Sequence, residues 1–478
     1  MSQQSFAPGV DSIWQGPLRP VTIGSILAVT IVAFQGLAQA TVAPILADDI
    51  GGKDLYGWIF AAYIIPQIVG TVLGGIEVDR RSPAVVFGVF LGIFAIGCVV
   101  AGAAPSIGWF FAGRALQGFG GGGLFAAVYA VITLAYHDRL RPAMMAATSS
   151  AWIVPSLIGP AIAGFIAETF SWRWVFFSLI PVLVAVAPMT LPAYSRMHAA
   201  RGVLEIKPGT RARLVQAVVL ALSTAAFLIG LELEPLYLAV PVCAAGLLGL
   251  VTMLRRLMPA GFFTATPMLA GSIAIRALCF GAFLVAETYM VFSLKEFGGV
   301  SATTAGVALT AGSLSWTAGS LLQAPWDRWT GSEGRPMRVL VGVGCMIVGI
   351  GTMYATILAT KDIWLGVAIP TWVLSGLGIG LAYPTSSTIA LAHAARGEEG
   401  RVSSSTLLGD LFSSSLAIGI SGVLLAFGLN AGWITARAAS LAMTLSIVLL
   451  ALALLSTLRM VKTAPTLAAT RTVTDPVA

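Results

Sequence analysis

Five formally charged side chains stand inside otherwise apolar stretches of this chain: Arg114, Arg276, Glu287, Asp410 and Arg437. A charge at the centre of a bilayer costs about 3 kcal/mol or more, so such a residue faces a cavity or a partner. A carboxylate sharing that space with a guanidinium can take up and release a proton, because each protonation state changes what the arginine is held by. Arg276 and Glu287 are eleven residues apart. Eleven residues make three helical turns, which puts both on one face, about 16 Å apart, too far to pair. Counting from the segment ends places Glu287 at the depth of Arg114, and Asp410 at the depth of Arg276. Two charge layers are expected, Arg114 with Glu287 towards the outside and Arg276 with Asp410 towards the inside. Proton coupling is assigned to these four. Arg437 lies near a segment end, where its long stem can snorkel to the surface.

Polar and aromatic side chains on the same stretches are the expected lining of a substrate cavity: Gln35, Gln117, Tyr129, Tyr289, Trp372 and Tyr383. Acids together with aromatic faces suit lipophilic cations. The sequence carries no glycine-rich nucleotide loop, no metal-ligand cluster and no nucleophilic triad. The expectation is a protein that is not an enzyme and uses no cofactor and no metal. Four cysteines, Cys98, Cys243, Cys279 and Cys345, each fall in an apolar run without paired spacing, which predicts no disulfide framework.

What positions these residues follows from composition. Of 478 residues 57% are hydrophobic and 10% charged, with a mean hydropathy of +0.91. That balance predicts an all-α integral membrane protein. A net charge of +7 is small for this length and does not point to nucleic acid. The first twenty residues lack the cationic start and short apolar core of a cleavable signal peptide.

Fourteen apolar segments follow, near 20–43, 55–76, 83–103, 107–134, 143–167, 172–191, 213–231, 236–256, 268–293, 302–326, 337–358, 363–392, 402–428 and 432–457. With the N-terminus in the cytoplasm, twenty Lys/Arg fall in cytoplasmic segments and four, Lys53, Arg173, Lys295 and Lys361, in outer loops. That bias predicts both termini on the cytoplasmic side.

The segments repeat. Asp79-Arg80 ends the second and Asp327-Arg328 the tenth. Leu116-Gln-Gly-Phe-Gly-Gly-Gly-Gly-Leu124 in the fourth echoes Leu374-Ser-Gly-Leu-Gly-Ile-Gly-Leu381 in the twelfth. Arg141 and Gly159 in the fifth match Arg401 and Gly419 in the thirteenth, 18 residues apart in both. Segments 1–6 and 9–14 therefore read as two six-helix bundles, with segments 7 and 8 an inserted pair. In residues, this predicts a cytoplasmic lead-in at 1–19, a bundle at 20–191, a cytoplasmic linker at 192–212, the inserted pair at 213–256, a second bundle at 257–458 and a cytoplasmic tail at 459–478.

This arrangement resembles the major facilitator superfamily, and within it the fourteen-helix drug:proton antiporters. Arg114, Gln117, Gly118 and Gly120 match the fourth-helix motif. Gly159-Pro160 with Ala163-Gly164 matches the fifth-helix antiporter motif, except that Ala163 replaces the first of its paired glycines. Ser171-Trp-Arg-Trp-Val-Phe-Phe177 looks like the start of the sixth helix, although Leu179 stands where an asparagine is usual. The loop motif after the second helix is degraded: Asp79 and Arg80 match, while Glu77, Ser82 and Pro83 do not. Gln35 aligns with the first-helix aspartate of many members.

The resemblance implies alternating access and proton-coupled export of amphipathic drugs across a plasma membrane, of the bacterial inner-membrane kind, by a monomer whose partners are substrate, protons and lipid. Arg114 then faces the cavity and tunes a nearby acid, and Gly159, Pro160 and Gly164 favour antiport. Asp79 and Arg80 form a cytoplasmic gate, with Asp79 docking on the start of the thirteenth helix near Arg401. Fold does not fix substrate, so a transporter of one metabolite, lipid or siderophore competes with this reading. The missing first-helix acid also leaves room for a membrane sensor without transport.

Overall fold

A computed structural model describes residues 11–136, 140–199, 210–266, 268–394 and 399–474. Among them there is helix and no strand. The helices fall into two compact units, residues up to 249 together with 301–307, and 250–300 together with 308 onwards.

The first unit opens with α1 (Leu18–Ile50), α2 (Tyr56–Arg80), α3 (Pro83–Gly102) and α4 (Ile107–Ala135). It continues through α5 (Arg141–Ser150), α6 (Ile153–Thr169), α7 (Trp172–Phe177), α8 (Leu179–Ala199), α9 (Thr210–Glu232) and most of α10 (Leu236–Leu257). The second unit carries α11 (Met268–Glu296), the greater part of α12 (Ala302–Leu321), and α13 (Gln323–Thr330). After these come α14 (Arg335–Thr360), α15 (Leu365–Ala392), α16 (Glu399–Asn430) and α17 (Thr435–Thr474).

Twelve helical stretches among the described residues are long and apolar enough to cross a membrane. Two of the fourteen expected segments fall short of that standard. The segment expected at 143–167 is split into α5 and α6, and that at 302–326 into α12 and α13. Proline explains both breaks. Pro155 has no N–H to offer the carbonyl of Ala151, and Pro325 has none for Leu321. Pro181 does the same to Phe177, where α7 gives way to α8. The carbonyl freed at Ala151 is met by Thr30 Oγ1 of α1, which donates to it at 3.2 Å. Proline alone is not sufficient, since Pro44, Pro66 and Pro160 lie inside unbroken helices.

Glycine decides which helices meet backbone to backbone. A Cβ on Gly118 would overlap the carbonyl of Tyr63, and one on Gly122 that of Gln67, so these two glycines seat α4 on α2. On the other side of α4, a Cβ on Gly120 would come within 2.6 Å of the Phe94 amide of α3. The second unit repeats this arrangement. Gly376 and Gly380 of α15 abut the carbonyls of Gly312 and Trp316 of α12, while Gly378 abuts Gly342 of α14. The sequence echo between the fourth and twelfth segments is thus an echo of seams, with the same three-helix contact built twice.

Within the first unit α9 lies against α2, tied by Trp58 Nε1, which donates to the two carboxylate oxygens of Glu232 at 3.0 and 2.9 Å. The cysteines are free.

Candidate functional site

Each unit holds a buried polar cluster built around an arginine. In the second unit it is built on α11, α15 and α16. Arg276 donates from Nε to both oxygens of Asp410, at 3.2 and 3.1 Å, and from Nη2 to Oδ2 at 2.6 Å. The same guanidinium donates to Ser387 Oγ and to the Tyr383 hydroxyl, and its Cζ sits 3.6 Å from the centre of the Tyr383 ring. Tyr383 donates in turn to Asp410 Oδ2 at 2.8 Å. Asp410 therefore accepts from an arginine and a phenol on two different helices. The pair is nearly dry, with the Arg276 and Asp410 side chains 14% and 5% exposed. A proton arriving on Asp410 would remove the charge that organises all of these contacts.

From this cluster a run of aromatic rings extends through the second unit. Tyr383 meets Phe280 and Trp316, with ring centres 5.4 and 5.7 Å apart. Trp316 meets Phe283 at 5.2 Å, and Phe283 stacks on Trp372 at 4.4 Å. Two expected cavity residues, Tyr383 and Trp372, are thus the ends of one aromatic wall. The indole N–H of Trp372 is buried without a partner among the described residues. Tyr289 is buried with its ring against Phe292. Glu287 is also buried, and no hydrogen-bond or ion-pair partner for its carboxylate is present among the described residues.

The first unit's cluster centres on Arg114 of α4. Its Nη1 donates to Gln117 Oε1 at 2.9 Å, and its Cζ lies 4.4 Å from the centre of the Tyr63 ring. Gln117 passes the contact on, donating from Nε2 to Cys98 Sγ at 3.1 Å. Gln35 and its neighbour one turn on, Gln39, are wholly buried on α1. Arg114 and Glu287 belong to different units, and neither has an ion-pair partner among the described residues of its own. Tyr129 is 42% exposed.

The fifth-helix motif lies in α6. A Cβ on Gly164 would come within 2.7 Å of the Ala302–Thr303 backbone, in the 301–307 stretch that belongs to this unit. Gly306 of that stretch abuts the Pro160 carbonyl. Nearby, Glu168 accepts from the backbone N–H of Ala302 at 2.5 Å, from that of Thr303 at 3.3 Å, and from the Thr303 hydroxyl. Gly159 sits against Phe34, whose ring would be 3.3 Å from an added Cβ. The motif is therefore a close-packing surface in this conformation.

For the expected gate, the side chains of Asp79 and Arg401 lie outside the described residues. Arg80 reaches Glu77 at 3.5 Å, and Arg81 reaches the same carboxylate at 2.7 Å. The matching loop of the second unit is tighter. Asp327 bridges Arg335 at 3.1 Å and the buried Arg338 at 2.6 Å, and these bonds hold its carboxyl below its ordinary range. Arg437 rests 4.2 Å from the centre of the Trp433 ring.

Reasoning from sequence did not single out Ser387, Trp316, Gln39, Tyr63 or Arg338. Two of these had a signal. Ser387 is one turn beyond Tyr383, and Gln39 one turn beyond Gln35, each on the same helix face.

Residues 25–417 match the family model described as Major Facilitator Superfamily. A Mycobacterium tuberculosis (strain H37Rv) protein named "Probable multidrug-efflux transporter" is 25% identical over 412 residues, covering 83% of this chain and 85% of the relative. The "MFS thioclapurine efflux transporter" of Claviceps purpurea is 24% identical, over 76% of this chain and 69% of its own length. Among solved structures, the peptide transporter POT in complex with alafosfalin superposes with a TM-score of 0.69 at 12% identity, over 95% of this chain and 96% of that one. A bacterial homologue of the lysosomal transporter Spinster gives 0.60 at 14% identity, over 93% and 97%.

Proposed function

The chain belongs to the major facilitator superfamily, and from that footing we propose that it is a proton-coupled exporter of amphipathic small molecules working by alternating access. The observation that carries this reading is the Asp410 carboxylate, shared by Arg276 and Tyr383 in the interior of the second unit. Protonation of Asp410 would release both partners at once. Loss of the proton would draw them back. A titratable acid that clamps three helices in one charge state and frees them in the other is the element a proton-driven cycle needs. Glu287 is the second proton-accepting candidate, as a buried carboxylate with no partner among the described residues.

Export of drugs, rather than uptake, takes its support from the relative named for multidrug efflux and from the Gly159-Pro160 and Gly164 motif. The reading includes fourteen crossings, with α5–α6 and α12–α13 as broken spans, both termini in the cytoplasm and residence in a plasma membrane. The bias of Lys and Arg between alternate loops supports that orientation.

Everted membrane vesicles given a fluorescent amphipathic dye from outside test the coupling. Wild-type vesicles should accumulate dye faster with an acid-inside pH gradient than without one. Asp410→Asn should remove that acceleration, and Glu287→Gln should reduce or remove it. Gradient-driven transport that persists unchanged in both variants rejects the assignment. The relative named for thioclapurine efflux favours a second reading, a transporter dedicated to one compound. Substrate-induced proton movement across a chemically diverse panel separates the two: many responders indicate drug export, and one indicates a dedicated carrier.

A further inference from the structure

Arg114 is a buried cation with no ion-pair partner among the described residues of its unit. Four acids of the first unit lie at helix ends and are engaged there: Asp48 with Lys53 at 2.7 Å, Asp49 with Arg173 at 2.7 Å, Glu77 with Arg81 at 2.7 Å, and Glu232 with Trp58. Arg114, only 1% exposed, spends Nη1 on Gln117 and has no partner for Nε among the described residues. Nor do both amide atoms of Gln35 (0% exposed) and Gln39 (1% exposed), or the Tyr63 hydroxyl, have a partner there.

Helical register brings these orphaned groups together. A Cβ on Gly121 would lie 2.8 Å from the Tyr63 hydroxyl and 3.6 Å from Val32 Cγ1, so Gly121 and Val32 mark one level of the α1–α4 contact. Tyr63, Gln67 and Thr71 meet α4 in the same order as Gly118 and Gly122, so α2 and α4 run parallel. A short turn joins α1 to α2, so α1 runs against α4. Gln39 is seven residues beyond Val32, and Arg114 seven before Gly121. Seven residues are about two turns, so Gln39 and Arg114 arrive at the same level, with Gln35 a turn nearer Tyr63.

The chemistry that results is one positive charge beside two glutamine amides and a phenol whose polar atoms have no partner among the described residues. A cation would be repelled there, and a neutral cargo would leave the charge uncompensated. A carboxylate satisfies both needs, since it is planar, accepts from guanidinium in a forked geometry and takes further donors from amides and phenols. We propose that Arg114, with Gln35, Gln39 and the Tyr63 hydroxyl, forms the headgroup site for the carboxylate of an anionic amphiphile. The cargo is then an organic acid in place of the lipophilic cation that the sequence suggests. This deepens the transporter reading and rests on it.

Equilibrium dialysis of the full chain in nanodiscs at pH 7 tests the site with a matched set: 1-naphthylacetic acid, 1-naphthylacetamide and 1-naphthylmethylamine. The acid should bind at least tenfold more tightly than the amide, with the amine weakest. Arg114→Gln should bring the acid down to the level of the amide, and Arg114→Lys should keep part of the preference. Gln39→Glu places a carboxylate at the level of Arg114; it should abolish binding of the acid and leave the amide unchanged. That variant decides the matter alone if Arg114→Gln does not fold. Binding of none of the three, an amine bound as tightly as the acid, or a preference untouched by Gln39→Glu overturns the proposal. The transporter reading fails separately, if the acid binds with the expected preference but everted vesicles never move it. Conversely, vesicles of Arg114→Gln that still pump both acid and amine at wild-type rates retain the transporter and reject the site.

Discussion

Replacing Arg276 with methionine would leave Asp410 inside three packed helices with the Tyr383 hydroxyl as its remaining strong donor. Three Arg276-to-carboxylate contacts, at 3.2, 3.1 and 2.6 Å, disappear together. Stranding one charge of a buried pair costs about 3–5 kcal/mol. The retained bond from Tyr383 to a charged acceptor offsets about 1.5 kcal/mol of this, leaving a destabilisation of about 1.5–3.5 kcal/mol. Asp410→Asn strands the arginine instead, with a penalty of the same order, because Asn accepts through one oxygen only. The double variant removes both charges and should fall below either single loss, near 1 kcal/mol, since a neutral pair in the same volume leaves nothing unpaired. The assay is apparent melting temperature of the purified chain in detergent for wild type, both single variants and the double. The ordering is the test. If the double variant loses as much as the two singles added together, Arg276 and Asp410 are independent and the clamp does not exist.

Two further outcomes follow from other parts of the structure. Hydrogen bonds from Arg335 and Arg338 hold the Asp327 carboxyl below its ordinary value of 3.8, so its contribution is complete above that pH and is lost as pH falls through the lowered folded-state value. The stability gap between wild type and Asp327→Asn should therefore be constant above pH 5 and close progressively below pH 4; a gap that stays the same down to pH 3 rules this out. At the helix seams, Gly118→Val and Gly376→Val each drive a side chain into a neighbouring carbonyl and should cost about 1–3 kcal/mol or more, while Gly92→Ala, where nothing lies within 4 Å, should be neutral or stabilise by up to about 1 kcal/mol. Equal melting temperatures for Gly118→Val and Gly92→Ala would show that α4 does not rest on the α2 backbone.

Much of this architecture can be read without coordinates, because hydrocarbon makes each polar residue conspicuous. Arg276 and Asp410 emerge from depth counting alone, and the structure puts them 2.6 Å apart. The glycine echo between Gly118–Gly122 and Gly376–Gly380 also survives as packing. What sequence does not deliver is the partner's identity, which depends on helix rotation. Tyr129 and Gln117 share one helix, yet Tyr129 is exposed while Gln117 is enclosed. Arg338 reads as a cytoplasmic cation because it begins a segment, but Asp327 and the Trp326 ring, 5.7 Å away, draw it into the interior. Continuous apolar runs such as 143–167 conceal their breaks, since Pro155 interrupts hydrogen bonding while leaving hydropathy unchanged.

The seams at α4 limit how this molecule can move. Where side chains separate two helices, one can slide past the other by changing rotamers. Gly118 and Gly122 place α4 directly on the carbonyls of α2, and Gly120 places it on α3, so sliding would force one main chain to climb over another. The three helices must therefore travel as a single rigid plate. Displacement during a working cycle is left to the joints before Pro155, Pro181 and Pro325, where the backbone has already given up its continuous ladder. Such a division of labour makes the plates poor places to look for motion, and spin labels across the proline joints the informative ones.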